Sequence, residues 1–355
     1  MPKSSRLKAV TAAVLIMGTA MFALALLSGL LYEQAERARD RKLFPQVGRS
    51  VDIGGRTLDL DCKGAGQPAV ILVRGVPWTL DNPRRFWENG LPRPGYSWVS
   101  VQRELAKTTT TCWYDRAGSG WSDPGPYPRD SASQARDLHA LLQAAGIPPP
   151  YVLVAESSAA LDARVYAGFY PDGVAGLVMV NGIHPDLLQR GRPNGGRVER
   201  LPGFIGHSQD AMARAFNRVG LYRLGLPSAP APGPVPPGMT AAEWNTIWHL
   251  TRSAKARSAL LQEIGAWQLS TAEARAAGSL GDRALVVLSA KHKDGEPESG
   301  GAWMELQADL AKLSTRGKLV TVDASGDDLI YSAPDAIIDA ARAVLADAGL
   351  VKDPR

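Results

Sequence analysis

The residues of this chain whose types and spacing invite chemistry lie in Ala155-Glu156-Ser157-Ser158-Ala159. They follow a short, wholly apolar run, YVLV at 151–154, and precede AALDARVYAGF, whose apolar spacing is helical. The pattern predicts a buried strand, a tight corner of small residues and a helix. Such a corner presents Ser157 as a nucleophile, but a serine hydroxyl attacks only when a base takes its proton. The chain has five histidines to supply one: His139, His184, His207, His249 and His292. His292 stands in SAKHKDGEPE with Asp294 two residues on, and His184 stands in NGIHPD. His139 falls on a predicted surface helix, and His207 and His249 fall in a largely helical block. No metal-ligand cluster and no phosphate-cradling glycine loop is present in the sequence, so neither a metal nor another cofactor is expected.

The elements that must position these residues alternate along the chain. Strand-like runs SVDIGG, TLDLDC and AVILV (69–73) precede a long loop rich in Pro, Gly and Trp, from Arg74 to about Tyr96. A helix at 97–107, the strand TTCWYD (110–115), a helix at 131–145 and YVLV follow, then the apolar strand AGLVMV (175–180). Residues 185–282 read as mostly helical, broken by the proline-rich GLPSAPAPGPVPPGM. Alternation returns with ALVVLS (284–289), a helix at 302–313, KLVTVD (318–323) and a helix at 334–346. Strands apolar on both faces, alternating with helices, predict a mostly parallel sheet wrapped by helices. Its ligands are expected at the carboxyl ends of the strands, under the helical insertion as a lid.

The N-terminus is of another kind. Ala9 to Tyr32 runs 24 residues without a charge, about 36 Å of helix against a bilayer core of about 30 Å. A cleaved signal peptide is the rival reading, with Ala23-Leu24-Ala25 as its site, but the apolar run continues well past that point. The expected organisation is a basic tail (1–8), a transmembrane helix (9–32) and a polar stalk (33–49) before the globular domain, with the lipid bilayer as partner. Lys3, Arg6 and Lys8 before the span nearly balance Arg37, Arg39, Arg41 and Lys42 after it, so charge does not orient it. The net charge of +5 comes without a basic block interleaved with aromatics, which argues against nucleic-acid binding. Both cysteines, Cys62 and Cys112, fall in strand-like segments, as free thiols or as a pair.

The order of elements, the corner at Ser157, YDRAGSGWSDPGP after one strand and LVMVNGIHPD after another resemble the alpha/beta-hydrolase superfamily. The similarity is greatest to bacterial membrane-anchored members and covers about residues 50–348. It implies an eight-stranded alpha/beta core, 50–184 and 283–355, with 185–282 as the lid. It puts Cys62 and Cys112 on neighbouring strands, where a disulfide would mark an extracytoplasmic domain.

The resemblance also assigns roles. The family nucleophile occupies G-x-S-x-G, here Ala155 to Ala159 with both glycines replaced; a frame shifted to Ser158 would put Glu156 where a small side chain is needed. The family base is a histidine after the last strand, in a Gly-His pair, and here Asp327 follows Gly326 in its place. Asn181 stands where some members carry the acid after strand six, and Asp294 remains as an acid after strand seven. A rearranged triad would use His292 as base; His184 is a second substitute. The oxyanion donors would be the backbone N–H groups of Ser158 and Val76. Tyr114-Asp115-Arg116 and Trp121-Ser122-Asp123 are expected to hold a turn. The implied function is membrane-tethered serine hydrolysis of an ester or related acyl substrate, weakened or lost with the histidine. The alternative is a catalytically inactive relative that binds a small apolar ligand or a protein partner.

Overall fold

A computed structural model describes residues 3–76, 93–190, 211–212, 215–216, 218–221, 223, 233–291, 299–324 and 328–349. The chain divides into two units, residues 1–46 with 208–230, and residues 47–207 with 231–355.

The first unit is dominated by one helix, α1 (Lys3–Leu43). Residues Val10–Leu43 of it form a stretch long and apolar enough to cross a membrane. Its apolar side chains, among them Leu15, Ile16, Phe22 and Leu24, are exposed.

The second unit is built on an eight-stranded sheet in the order β1-β2-β4-β3-β5-β6-β7-β8. The strands are β1 (Arg49–Asp52), β2 (Thr57–Lys63), β3 (Ala69–Val73), β4 (Thr111–Tyr114), β5 (Tyr151–Glu156), β6 (Val174–Val180), β7 (Ala284–Ala290) and β8 (Gly317–Val322). β1 and β2 run antiparallel and β4, β3 and β5 to β8 run parallel. The central strands β3, β5 and β7 are buried along their whole length, as continuous Val/Ile/Leu runs covered on both faces must be. β2 and β4 place Cys62 directly opposite Cys112, and the two form a disulfide.

Helices cover both faces. On one side lie α3 (Ser131–Ala144), α4 (Ala159–Phe169), α7 (Trp267–Ala276) and α8 (Ser299–Ala311); on the other lie α2 (Val99–Leu105) and α9 (Pro334–Asp347). α9 shows why: Ile337, Ile338, Ala341, Val344 and Leu345 recur at helical spacing and are all buried against the sheet. Burying each large aliphatic side chain there contributes about 1.5–3 kcal/mol. α3 starts where the Asp130 carboxylate accepts the Ser133 N–H (2.8 Å), a side-chain N-cap. Between β6 and β7 the described chain is helical, with α5 (Ala241–Thr251) and α6 (Ala254–Gly265) before α7. Trp267 and Ala274 bring α7 into the core beside α3 and α4, and the Ser131 N–H donates to Ser270 Oγ at 3.0 Å.

Candidate active site at the β5–α4 corner

β5 ends at Glu156 and α4 begins at Ala159, leaving two residues to reverse the chain. Ser157 makes the turn with φ +54°, a left-handed conformation that costs a non-glycine residue about 1–2 kcal/mol. Surrounding bonds hold it there: its N–H donates to Val180 O (3.0 Å), and its carbonyl accepts from Ala160 N (3.1 Å) and Ile183 N (3.0 Å). Strain kept by so many partners is a mark of functional corners, and the strand, turn and helix around Ser157 have the shape that a presented nucleophile would need.

A sequence model of the alpha/beta hydrolase fold matches residues 87–205, which include the corner. The chain has the alpha/beta-hydrolase fold. Solved structures agree: a thermophilic esterase from Thermogutta terrifontis superposes with a TM-score of 0.56 at 17% identity, over 85% of this chain and 98% of that one. Among curated proteins, an AB hydrolase superfamily protein of Gibberella zeae is 32% identical over 135 residues, 35% of this chain and 42% of that protein. An uncharacterised vacuolar membrane protein of Saccharomyces cerevisiae is 33% identical over 110 residues, 30% of this chain and 17% of that protein. The chain spans less than half the length of the curated relatives it matches. The family model and the structural neighbours agree on the fold.

In an alpha/beta-hydrolase fold the loop after β3 faces the elbow, and here the two are laced together. Ser157 Oγ donates to the Val76 carbonyl (2.8 Å), while the Val76 N–H donates to Ser158 Oγ (2.8 Å). The structure thus unites three of the residues singled out from sequence: Ser157, Ser158 and Val76. It also spends the groups that acyl transfer would use, the serine proton on a carbonyl and one oxyanion donor on a hydroxyl. Gly75 makes the close approach possible. A Cβ there would lie 2.2 Å from Glu156 O and 2.7 Å from Ser158 N.

Beneath the elbow lies a charge network. Arg74 is bidentate to Asp328 (3.0 and 2.8 Å) and 3.4 Å from Glu156 Oε2, and Arg93 reaches Asp328 at 2.9 Å. Arg93 also lies over the Tyr331 ring, 4.8 Å from its centre. Arg74 and Glu156 are each 1% exposed in their side chains. Burial pushes the Glu156 carboxyl up to about 7 against the opposing pull of Arg74. Burial works the same way on Asp328, but Arg74 and Arg93 outweigh it and hold that carboxyl below its ordinary value. Arg74 itself is raised: burial disfavours its charge, and Asp328 and Glu156 more than reverse this. Glu156 Oε1 finds no hydrogen-bond partner among the described residues.

Ser158 also borders a small, partly open cavity of about 20 Å³, room for a single water. Its walls include Val76, Ser158, Arg116, Asp162, Glu263 and Trp267. Arg116 pairs with Asp162 (3.3 Å) and Glu263 (2.9 Å), and Ser131 Oγ donates to Asp162 at 2.6 Å. Burial raises Asp162 to about 6. These charged groups share the lining with the apolar Val76, Leu161, Ile264 and Trp267.

The substitute bases divide. His292, Asp294 and Asp327 lie outside the described residues. His184 follows Ile183, whose N–H bonds the Ser157 carbonyl, but its Nδ1 accepts the Asp186 N–H at 3.0 Å. Burial lowers its pKa despite Asp186 nearby. His139 stacks on Tyr170 with ring centres 3.7 Å apart. Asn181 carries a structural load: its Oδ1 accepts the Ala290 N–H (2.9 Å) and its N–H donates to Leu288 O (2.8 Å), joining the ends of β6 and β7. The β4 loop is structural too. Asp115 accepts from Gly95 N (2.6 Å) and Trp121 N (2.7 Å), and Asp123 from Thr57 N (2.8 Å). Arg93 and the pairing of Glu156 with Arg74 are what sequence reasoning missed. The available signal was a carboxylate ending an otherwise apolar, buried strand.

Proposed function

We propose that this chain is a membrane-anchored protein of the serine-hydrolase lineage in which Ser157 keeps the elbow but hydrolysis of acyl substrates is weak or lost. The observation that carries this reading is the hydrogen bond from Ser157 Oγ to the Val76 carbonyl. A carbonyl oxygen holds the hydroxyl but cannot accept its proton, so it does not activate the nucleophile. Asp327 in place of the family histidine supports the same reading, since a carboxylate of ordinary pKa near 4 is a poor base toward a serine. Loss of one triad member costs such enzymes several orders of magnitude in rate.

The apolar α1 supports the anchor, as does similarity to a protein named for the vacuolar membrane. The Cys62–Cys112 disulfide supports a domain on the oxidising, extracytoplasmic side of a single span.

The test is fluorophosphonate labelling of the full chain in detergent, with Ser157→Ala, His184→Ala and His292→Ala beside it. Wild type is expected to label no faster than Ser157→Ala under conditions that saturate an ordinary serine esterase. Rapid labelling that Ser157→Ala abolishes would overturn the proposal, and the histidine variant that also lost it would identify the base.

A further inference from the structure

Residues 208–230 come from the insertion between β6 and β7, yet they belong to the same compact unit as α1. Contact with α1 is close. A Cβ on Gly29 would stand 2.4 Å from the Val219 carbonyl oxygen, and one on Gly220, at φ +69°, 3.2 Å from Tyr32 Cδ1. Arg223 then clamps the pair, Nε to Glu33 at 3.0 Å and Nη2 to Asp40 at 2.9 Å, while Arg37 closes the other Glu33 oxygen at 2.7 Å. Glu33 is thereby buried with both oxygens paired.

These contacts fix a direction. Val219 meets Gly29, Gly220 meets Tyr32, and Arg223 meets Glu33 and Asp40, so the segment ascends with α1. The Val219 N–H bonds Ala215 O (3.2 Å), as in a helix. At about 1.5 Å per residue, a helix continued back seven residues to Met212 would reach about 10 Å down α1, near Phe22. That is inside the uncharged run of α1. Met212 is 52% exposed, Phe216 38% and Leu221 46%. Met212 and Phe216, four apart, share one helix face. In water, apolar surface continuous with that of α1 would be a liability; beside acyl chains it is matched.

We propose that residues 211–223 are a second membrane-contacting element, lying along α1 with Met212, Phe216 and Leu221 in the lipid. The proposal rests on α1 being a membrane anchor, and its partner is the phospholipid bilayer. The experiment places an NBD label at Met212→Cys, and separately at Leu24→Cys, in the full-length protein reconstituted into phosphatidylcholine–phosphatidylglycerol vesicles. Quenching by brominated acyl chains is compared with quenching by aqueous iodide; unlabelled wild type, its cysteines in the disulfide, is the control. Both sites are expected to emit blue-shifted light and to lose intensity to brominated lipid but not to iodide. Leu24 quenched by lipid with Met212 quenched only by iodide overturns the second element and leaves the anchor standing. Iodide quenching at both sites overturns the anchor itself. Leu221→Cys repeats the measurement should Met212→Cys not fold. Arg223→Glu, which puts a third carboxylate against Glu33 and Asp40, is expected to expose the Met212 label to iodide without changing Leu24. A Met212 label indifferent to that substitution refutes the docking on α1.

Discussion

Replacing Glu156 by glutamine should make this protein more stable at pH 8 and leave it nearly unchanged at pH 4.5. In the folded protein Glu156 keeps its proton up to about pH 7, whereas in the unfolded chain it loses it at its ordinary 4.5. Between those values the folded state binds more protons, so stability falls as pH rises. The loss is absent below 4.5 and complete above 7. At 1.36 kcal/mol per pH unit, full ionisation costs about 3 kcal/mol. Glutamine is neutral throughout, and its amide oxygen still meets the Gly75 N–H and Arg74. Asp115 and Asp162, both raised to about 6 by burial, lose stability in the same direction in both proteins and cancel in the difference. His139 and His184, lowered chiefly by burial, oppose that trend and cancel too. Urea unfolding followed by tryptophan fluorescence, at intervals from pH 4.5 to 8.5, measures the effect. The curves for wild type and Glu156→Gln are expected to coincide at the acid end and separate by about 2–3 kcal/mol at the alkaline end. Parallel curves would refute the reasoning, because they would mean that Glu156 ionises alike in the folded and unfolded chains.

Three shorter tests address the corner and its support. Ser157→Gly should be more stable than Ser157→Ala by about 1 kcal/mol in the same urea assay, since glycine escapes the left-handed cost of about 1–2 kcal/mol and gives back only part of it as unfolded-chain freedom; the reverse order would show that the corner relaxes in solution. The Cys62–Cys112 link joins residues 50 apart, so the double serine variant should lose about 4 kcal/mol on the chain-entropy account, read as a lower urea midpoint; an unchanged midpoint under non-reducing conditions would remove the disulfide. Ser158→Ala frees the Val76 N–H but supplies no base, so fluorophosphonate labelling should stay at the Ser157→Ala level; a rise would place the block at the oxyanion donor.

Much of the fold is legible in the sequence because its strands declare themselves. AVILV, YVLV, AGLVMV and ALVVLS are apolar on both faces, and only a parallel sheet wrapped by helices buries such runs. Cys62 and Cys112 pair across β2 and β4 because the strand order brings them opposite each other, an order the resemblance supplied and the spacing of the cysteines could not. The corner was legible as far as Ser157, Ser158 and Val76. Its charges were not. Arg74, Arg93, Glu156 and Asp328 are drawn from three distant stretches of chain, and nothing local in any of them marks the others as partners. A sequence displays which residues carry charge; the sheet order decides which of them must share one desolvated space. The docking of Val219, Gly220 and Arg223 on α1 is hidden for the same reason, since the pairing of Arg223 with Glu33 spans 190 positions.

The two kinds of bond around Ser157 differ in what a ligand could change. The bonds that tie both serines to the Val76 peptide are neutral, and each is worth about 1 kcal/mol net, so a substrate carbonyl entering the corner would exchange them readily. The charge network is another matter. Removing one partner from a buried ion pair costs about 3–5 kcal/mol, and here Asp328 serves both Arg74 and Arg93. Asp328 is also held ionised by those arginines, which leaves it poorly disposed to take a proton from anything. The elbow is therefore reversible and the electrostatics beneath it are fixed. A strained serine is kept by hydrogen bonds from β6 and the β3 loop, whereas Arg74, Arg93 and Asp328 are committed to one another.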